Sequence, residues 1–251
     1  MVINVVQLGT VPYALGLKLQ HELEAARKQG QAGDSLLLLQ HPPVITLGRN
    51  AKPQHLLASR DQLAARGVEL FECNRGGDVT FHGPGQIVAY PIFNLLEMQP
   101  KLGVVEFVRR LEEVLIRTCA EFGIAAQRIA GLTGVWTQAE TPHKIAALGV
   151  HISRGVTTHG IALNVNADLD YFRLIVPCGI GDRPVTAMRN ELGHDVALDG
   201  VAVALARNFG RVFDSQMLWV ETIDALLGRT VGVPLREPAE SLGHRGDTMS
   251  A

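Results

Sequence analysis

The chain has 251 residues, 47% of them hydrophobic and 19% charged, with a formal charge of −2. That is enough length for one large core, and near-neutrality leaves no electrostatic footprint for nucleic acid or an anionic membrane surface. No apolar run approaches the roughly eighteen residues of a spanning helix, residues 1–7 lack the basic start of a signal peptide, and three widely spaced cysteines fit neither a disulfide framework nor a zinc site of the CxxC type. The expectation is a cytoplasmic protein with free thiols and no membrane association.

In chain order, 2–8 reads as a strand and 13–29 as an amphipathic helix, with Ala14, Leu17 and Leu23 on its apolar side and Gly30 closing it. The continuous apolar run 36–39 predicts a strand buried on both faces. His41, Pro42 and Pro43 break the chain before a strand at 44–47. A helix is expected over about 54–66, stopped by Gly67, and another strand over 68–73.

Residues 75–86 read RGGDVTFHGPGQ. A β segment at 78–82 is bracketed by Gly76-Gly77 and by Gly83 and Gly85, and 87–93 continues as a strand. Adjacent glycines expose backbone N–H groups to a carbonyl, carboxylate or phosphate, or else mark a bulge or tight bend. The helix at 104–122 carries an apolar stripe from Val104 to Phe122, with Arg109, Arg110, Glu112, Glu113 and Arg117 opposite, and Cys119 falls on the stripe as a small core residue. A short strand at 134–136 precedes two apolar runs, 145–152 and 156–165, joined by Ser153-Arg154-Gly155. They form a β-hairpin with Lys144 at its entrance.

Past the hairpin, Ile175-Val176-Pro177 leads into Cys178, with Gly179 and Gly181 just after. Pro177 stiffens the approach to the thiol, and Gly179 removes a neighbouring Cβ. Helices are expected at 185–192 and 200–213. From about 230 the periodicity fades, so 1–230 is expected to be a single domain and 231–251 a loose tail. Interleaved strands and helices with central hairpins give an α/β (α+β) fold, a mixed sheet flanked by helices.

A thiol of ordinary pKa is only a few per cent thiolate at neutral pH, so a nucleophilic cysteine needs a neighbouring cation, base or helix N-terminus. Cys178 reads as a nucleophile with Lys144 as activator, or as a small core residue; spacing alone leaves both open. His82, His151 and His159 read first as hydrogen-bonded sheet histidines, and with Cys178 they lack a metal-ligand spacing. Strand alternation places Lys144, Ala146, Leu148 and Val150 on one face, opposite Ile145, Ala147, Gly149 and His151. Gly149, Gly160 and Ala162 are small where branched residues are favoured, which predicts vacated volume for an apolar chain.

Taken together, RGGDVTFHGPGQ (75–86), KIAALGVH (144–151), HGIALNV (159–165) and VPCGI (176–180) resemble the bacterial octanoyltransferases of lipoate biosynthesis, the LipB family. The similarity runs from about Leu36 to Gly193. It implies a fold related to biotin and lipoate protein ligases. It also implies transfer of an octanoyl group from octanoyl-acyl carrier protein to a lysine of lipoyl domains, those of 2-oxo acid dehydrogenase complexes and the glycine cleavage H protein. Cys178 matches the family's acyl-thioester cysteine and Lys144 the lysine that lowers its pKa. Arg75, Gly76, Gly77, Asp78, Val79, Thr80, Phe81 and His82 match substrate-contacting positions, as do Ala147, Leu148, Gly149, Gly160, Ile161 and Ala162. No cofactor or metal is implied. Competing readings are an ATP-dependent lipoate or biotin protein ligase, a non-catalytic lipoyl-domain or acyl-carrier binder, and a Cys–His thiol hydrolase, for which no His–Asn arrangement stands out.

Overall fold

The computed structural model of the chain describes residues 1–179 and 183–227, without the side chain of Cys178. The expected tail at 231–251, and Ile180 and Gly181 of the cysteine motif, lie outside the described residues.

The chain opens with β1 (Val2–Thr10) and α1 (Tyr13–Lys28). The buried face of α1 is Tyr13, Gly16, Gln20, Leu23 and Arg27, while Ala14 faces solvent. Of the expected apolar stripe, Leu23 packs as expected and Leu17 is half-buried, whereas Ala14 is not on the packing face. The helix also meets polar partners: Gln20 Oε1 accepts from His159 N at 2.6 Å, and Arg27 donates to Asp34 at 2.7 Å and Glu97 at 2.6 Å. A buried charge or amide costs little only when paired; Arg27 is paired on both carboxylates, while Gln20 is satisfied at Oε1 and its buried Nε2 has no hydrogen-bond partner among the described residues.

β2 (Ser35–Gln40) is buried on both faces, as its unbroken apolar run requires, and β3 (Val44–Leu47) follows the proline break. The helix expected over 54–66 is instead a 3₁₀ turn at Pro53–His55 and a short α2 (Arg60–Ala65). One local and one long-range interaction split it. Ser59 and Gln62 form a reciprocal capping box that starts a helix there. The residues before it are drawn into extended pairing, with the amides of Leu57 and Ala58 donating to Leu174 O and Leu56 bridging Ile175.

β4 (Glu69–Glu72), β5 (Val79–His82) and β6 (Gln86–Ile92) precede α3 (Val104–Glu121). Glu112 of α3, expected on the exposed side, is wholly buried. It pairs with Arg109 at 2.7 Å and Arg128 at 3.2 Å, and accepts from the Gly134 amide at 3.3 Å. Next come β7 (Ala126–Ile129), β8 (Leu132–Thr137), β9 (Lys144–Ser153) and β10 (Val156–Asn164). The expected hairpin is β9–β10, closed by Arg154-Gly155 with φ of 51° and 83°. Two successive positive φ values make the primed turn that matches strand twist. α4 (Met188–Leu192), α5 (Leu198–Phe213), β11 (Gln216–Trp219) and α6 (Ile223–Leu226) complete the described chain.

Eight strands form one mixed sheet in the order β11-β1-β2-β6-β10-β9-β8-β7, parallel among the first three and antiparallel beyond. A smaller sheet, β4-β3-β5, stands beside it. α3 and α5 cover one face of the large sheet through Phe107, Leu111, Leu115, Leu205 and Phe209. Leu23 of α1 packs on the other, against Leu37, Leu39, Val88 and Tyr90. Each fully buried side chain of this kind contributes about 1.5–3 kcal/mol. The small sheet has its own cluster, in which Val79 and Phe81 meet Phe172 and Leu174. Among the described residues no helix is long and apolar enough to cross a membrane.

Candidate active site

Where the small sheet meets the middle of the large one, a cavity opens with about 450 Å³ of empty space, its mouth included. β5 lends Thr80 and His82, the loop before it Arg75, Gly77 and Asp78. β9 lends Ala147, Leu148 and Gly149, and β10 lends Gly160, Ile161 and Ala162. Eleven of the expected substrate-contacting residues thus share one wall. Val79 and Phe81 do not, because alternation along β5 turns them into the small sheet's own cluster. Gly76 lines a neighbouring cleft with Leu148, Val150 and Leu132, and its amide is bonded to Val150 O at 2.9 Å.

The small residues of the hairpin are small for a reason other than open volume. A Cβ on Gly160 would stand 2.1 Å from Ala89 O, and one on Gly149 would stand 2.8 Å from Gly76 O. Neighbouring backbone fills the space the sequence suggested was vacant, and the cavity runs alongside that close approach.

The inner wall is polar, and part of it escaped the sequence reading. Tyr13, Val88, Tyr90 and His159 also line the cavity, with His41 behind them. His41 bridges Val11 O at 2.6 Å and Tyr90 Oη at 2.7 Å. His159, at a φ of 56°, reaches Asn74 Oδ1 at 2.7 Å. Desolvation by burial pushes the pKa of His41 down to about 4 and those of His82 and His159 down to about 3, with the Arg75 charge adding to the last two. All three are neutral at physiological pH. Tyr13 and Tyr90 are likewise held protonated by burial. The available signals were slight: a tyrosine inside the apolar 87–93 strand and a histidine ahead of Pro42-Pro43.

Arg75 is buried and spends its guanidinium on neutral groups, Nε and Nη2 on Thr46 and Nη1 on Gly76 O. Its positive charge therefore remains available to polarise whatever enters the cavity. His82 donates from Nδ1 to Gln86 Oε1 at 2.7 Å, Gln86 Nε2 donates to Asn164 Oδ1 at 2.8 Å, and Asn164 Nδ2 donates to Thr186 O at 2.9 Å. The Thr186 amide in turn donates to Lys144 O at 2.9 Å. A continuous polar chain thus runs from the cavity to the backbone of Lys144.

Lys144 is 4% exposed, deep for a lysine. Its Nζ lies 5.4 Å from the centre of the Trp136 ring, a cation–π distance. Gly134, at a φ of 131°, leaves the room that its stem occupies. The residues after the cysteine motif pair with this lysine, since Lys144 N donates to Pro184 O and Lys144 bridges Val185. On the motif's other side, Pro177–Gly179 forms a 3₁₀ turn against the cavity wall. Val176 N donates to His55 O at 2.8 Å, and a Cβ on Gly179 would sit 2.9 Å from Asp78 Oδ2. The backbone around Cys178 is thus anchored at the cavity on one side and at Lys144 on the other. Cys119, by contrast, is a core residue as expected, its thiol pushed up to about 12 by burial.

Residues 12–210 match the model of the lipoyl protein ligase A/B catalytic domain. The chain is 58% identical to an octanoyltransferase of Koribacter versatilis, over 94% of each chain. It is 55% identical to an octanoyltransferase of Acidobacterium capsulatum, over 90% of this chain and 96% of that one. Among solved structures, a bi-partite lipoate protein ligase of Thermoplasma acidophilum superposes with a TM-score of 0.71 at 18% identity, covering 91% of each chain. A lipoate-protein ligase A bound with ATP gives 0.70 at 18%, covering 91% of this chain and 93% of that one. At such identity the structural likeness speaks for the fold, which is the expected mixed-sheet fold of the lipoate protein ligases. With the fold and the relatives in agreement, the chain belongs to the lipoyl protein ligase A/B catalytic-domain family, on its octanoyltransferase branch, and is an acyltransferase.

Proposed function

We propose that the chain takes an octanoyl group from octanoyl-acyl carrier protein onto Cys178 as a thioester and passes it to a lysine of lipoyl domains, including those of 2-oxo acid dehydrogenase complexes and the glycine cleavage H protein. The observation that carries this reading is the position of the cavity: its wall of Ala147, Leu148, Gly149, Ile161 and Ala162 runs up to Asp78, against which the backbone after Cys178 packs.

The chemistry suits these groups. A thioester donor exchanges with a thiolate at little cost in free energy, which keeps the acyl group activated, and attack by an amine then forms the more stable amide. The Lys144 ammonium, buried over Trp136, favours the thiolate form of Cys178 by charge. The tetrahedral oxyanion needs preorganised donors. The amides of Gly76 and Gly179 are spent on Val150 O and Val176 O; among the described residues, the role is assigned to the Gly77 amide on the cavity wall, with the Arg75 charge nearby. The octanoyl chain lies along the apolar wall, where each buried CH₂ contributes about 0.8 kcal/mol.

The test is a reconstituted reaction of octanoyl-acyl carrier protein with a lipoyl domain in the absence of ATP. Transfer by the wild type that is abolished in Cys178→Ala supports the proposal. Transfer that requires ATP and free acid, and survives Cys178→Ala, favours an adenylating ligase and refutes it.

A further inference from the structure

The 3₁₀ turn at Pro53–His55 presents an imidazole to a carboxylate. His55 Nδ1 lies 2.5 Å from Asp78 Oδ2. A carboxylate accepts, so Nδ1 is the donor and Nε2 takes no part in this bond. Asp78 is itself fixed, since its Oδ1 accepts from Val79 N at 2.7 Å and from Lys52 N at 3.3 Å. Both side chains are mostly shielded, 16% and 11% exposed. The pair abuts the turn that contains Cys178. A Cβ on Gly179 would lie 3.0 Å from His55 Cε1 and 2.9 Å from Asp78 Oδ2. Cε1 joins the two ring nitrogens, so the edge that bears them is turned to the residue following the cysteine.

This geometry matters for the second half of the reaction. An attacking lysine amine must shed a proton before the C–S bond breaks, or the adduct reverts. His41, His82 and His159, with pKa values pushed to about 3–4 by burial, are poor proton acceptors at neutral pH. Lys144 is assigned to the thiolate. Resting on the reading of Cys178 as the acyl carrier, we propose that His55 is the base that takes the proton from the attacking amine, and that Asp78 is its positioning residue. The neutral amine nitrogen adds to the thioester carbonyl, forming the C–N bond, and Nε2 of His55 takes the proton from that nitrogen. The C–S bond then breaks, the electron pair leaves with sulfur as the thiolate, the amide is released, and the imidazolium returns its proton to solvent. Asp78 holds the ring in the tautomer with Nε2 unprotonated and stabilises the transient imidazolium.

Single-turnover measurement on the full chain tests this with two acceptors, a lipoyl domain and hydroxylamine. Hydroxylamine is a weakly basic nucleophile whose adduct loses its proton to water unaided. In His55→Gln, octanoylation of Cys178 is expected at the wild-type rate, with transfer to the lipoyl lysine falling about 10²–10³-fold and release by hydroxylamine unchanged. Asp78→Asn is expected to lower lysyl transfer about tenfold or more through the wrong tautomer, with Asp78→Glu restoring part of it. Lysyl transfer within threefold of wild type in His55→Gln overturns the proposal. So does an equal loss with both acceptors, or a loss already present in octanoylation, since either marks a merely structural contact. A wild type that never acylates Cys178 defeats the underlying reading and the inference with it, a result distinct from the other three.

Discussion

A Cβ placed on Gly134 would stand 2.7 Å from Lys144 Cε and 3.3 Å from its Nζ. The glycine on β8 is thus what lets the lysine at the start of β9 lie buried against Trp136. Its amide is held by Glu112 of α3, so the position of the ammonium is set from the helix layer through the sheet. Gly134→Ala forces an alanine into a positive-φ backbone and into the lysine stem together. Displacement by about 1 Å can cost about 100-fold in rate. The expected outcome is a fall of that order in octanoyl transfer with a smaller loss of stability, about 1–3 kcal/mol, read from transfer kinetics and urea melts.

Gly160→Ala acts on the fold first. Its Cβ would meet Ala89 O at 2.1 Å, where β10 and β6 pair in the middle of the sheet. Overpacking typically costs about 1–3 kcal/mol, and this contact is with backbone that cannot swing aside. The variant is expected to lower the urea midpoint by an amount at the upper end of that range, with activity lost in step with folded protein.

Gln86 joins His82 to Asn164, and its removal strands buried groups on both sides. Gln86→Leu is expected to destabilise by about 2–3 kcal/mol, because each orphaned buried donor or acceptor bears its own desolvation cost. The double variant Gln86→Leu/Asn164→Leu is expected to lose less than the sum of the singles, which a thermal-melt double-mutant cycle detects.

The buried histidines give stability a pH dependence of definite sign. The folded pKa values of His41, His82 and His159, at about 4, 3 and 3, lie below the unfolded value of 6.5. Between those limits the unfolded chain binds more protons, so their contribution is complete above pH 6.5 and is lost as pH falls from 6.5 towards 4 and 3. At pH 5 each such group removes about 1–2 kcal/mol. Melting temperature is expected to drop between pH 7 and pH 5, and His41→Gln is expected to flatten that slope even if it starts lower.

Elements with a strong local signature were legible in the sequence. The apolar run of β2, the periodic stripe of α3 and the Arg154-Gly155 turn all appear where expected, because one local feature decides each. The split of the 54–66 helix, the polar packing face of α1 and the burial of Glu112 depended on distant partners: Leu174, His159 and Gly134. At the site, the segments carrying Arg75 to His82 and Ala147 to Ala162 do line one cavity, while alternation turns Val79 and Phe81 away. Tyr13, His55 and Gly134 were invisible because nothing near them in sequence is unusual. Their roles exist only once α1, the Pro53–His55 turn and β8 are folded against the rest.

Lys144→Met tests the electrostatic role of the lysine. Removing the ammonium is expected to raise the midpoint of the Cys178 alkylation-rate profile against pH by at least about one unit, towards the ordinary thiol value near 8.5. An unchanged profile separates the lysine from thiolate formation.

Most directly, the wild type is incubated with octanoyl-acyl carrier protein alone, without acceptor, and its intact mass and peptide map are recorded. Octanoyl transfer through Cys178 predicts one octanoyl adduct, mapped to Cys178, released by addition of a lipoyl domain and missing in Cys178→Ser. An unmodified wild type, or an adduct that persists in Cys178→Ser, contradicts it.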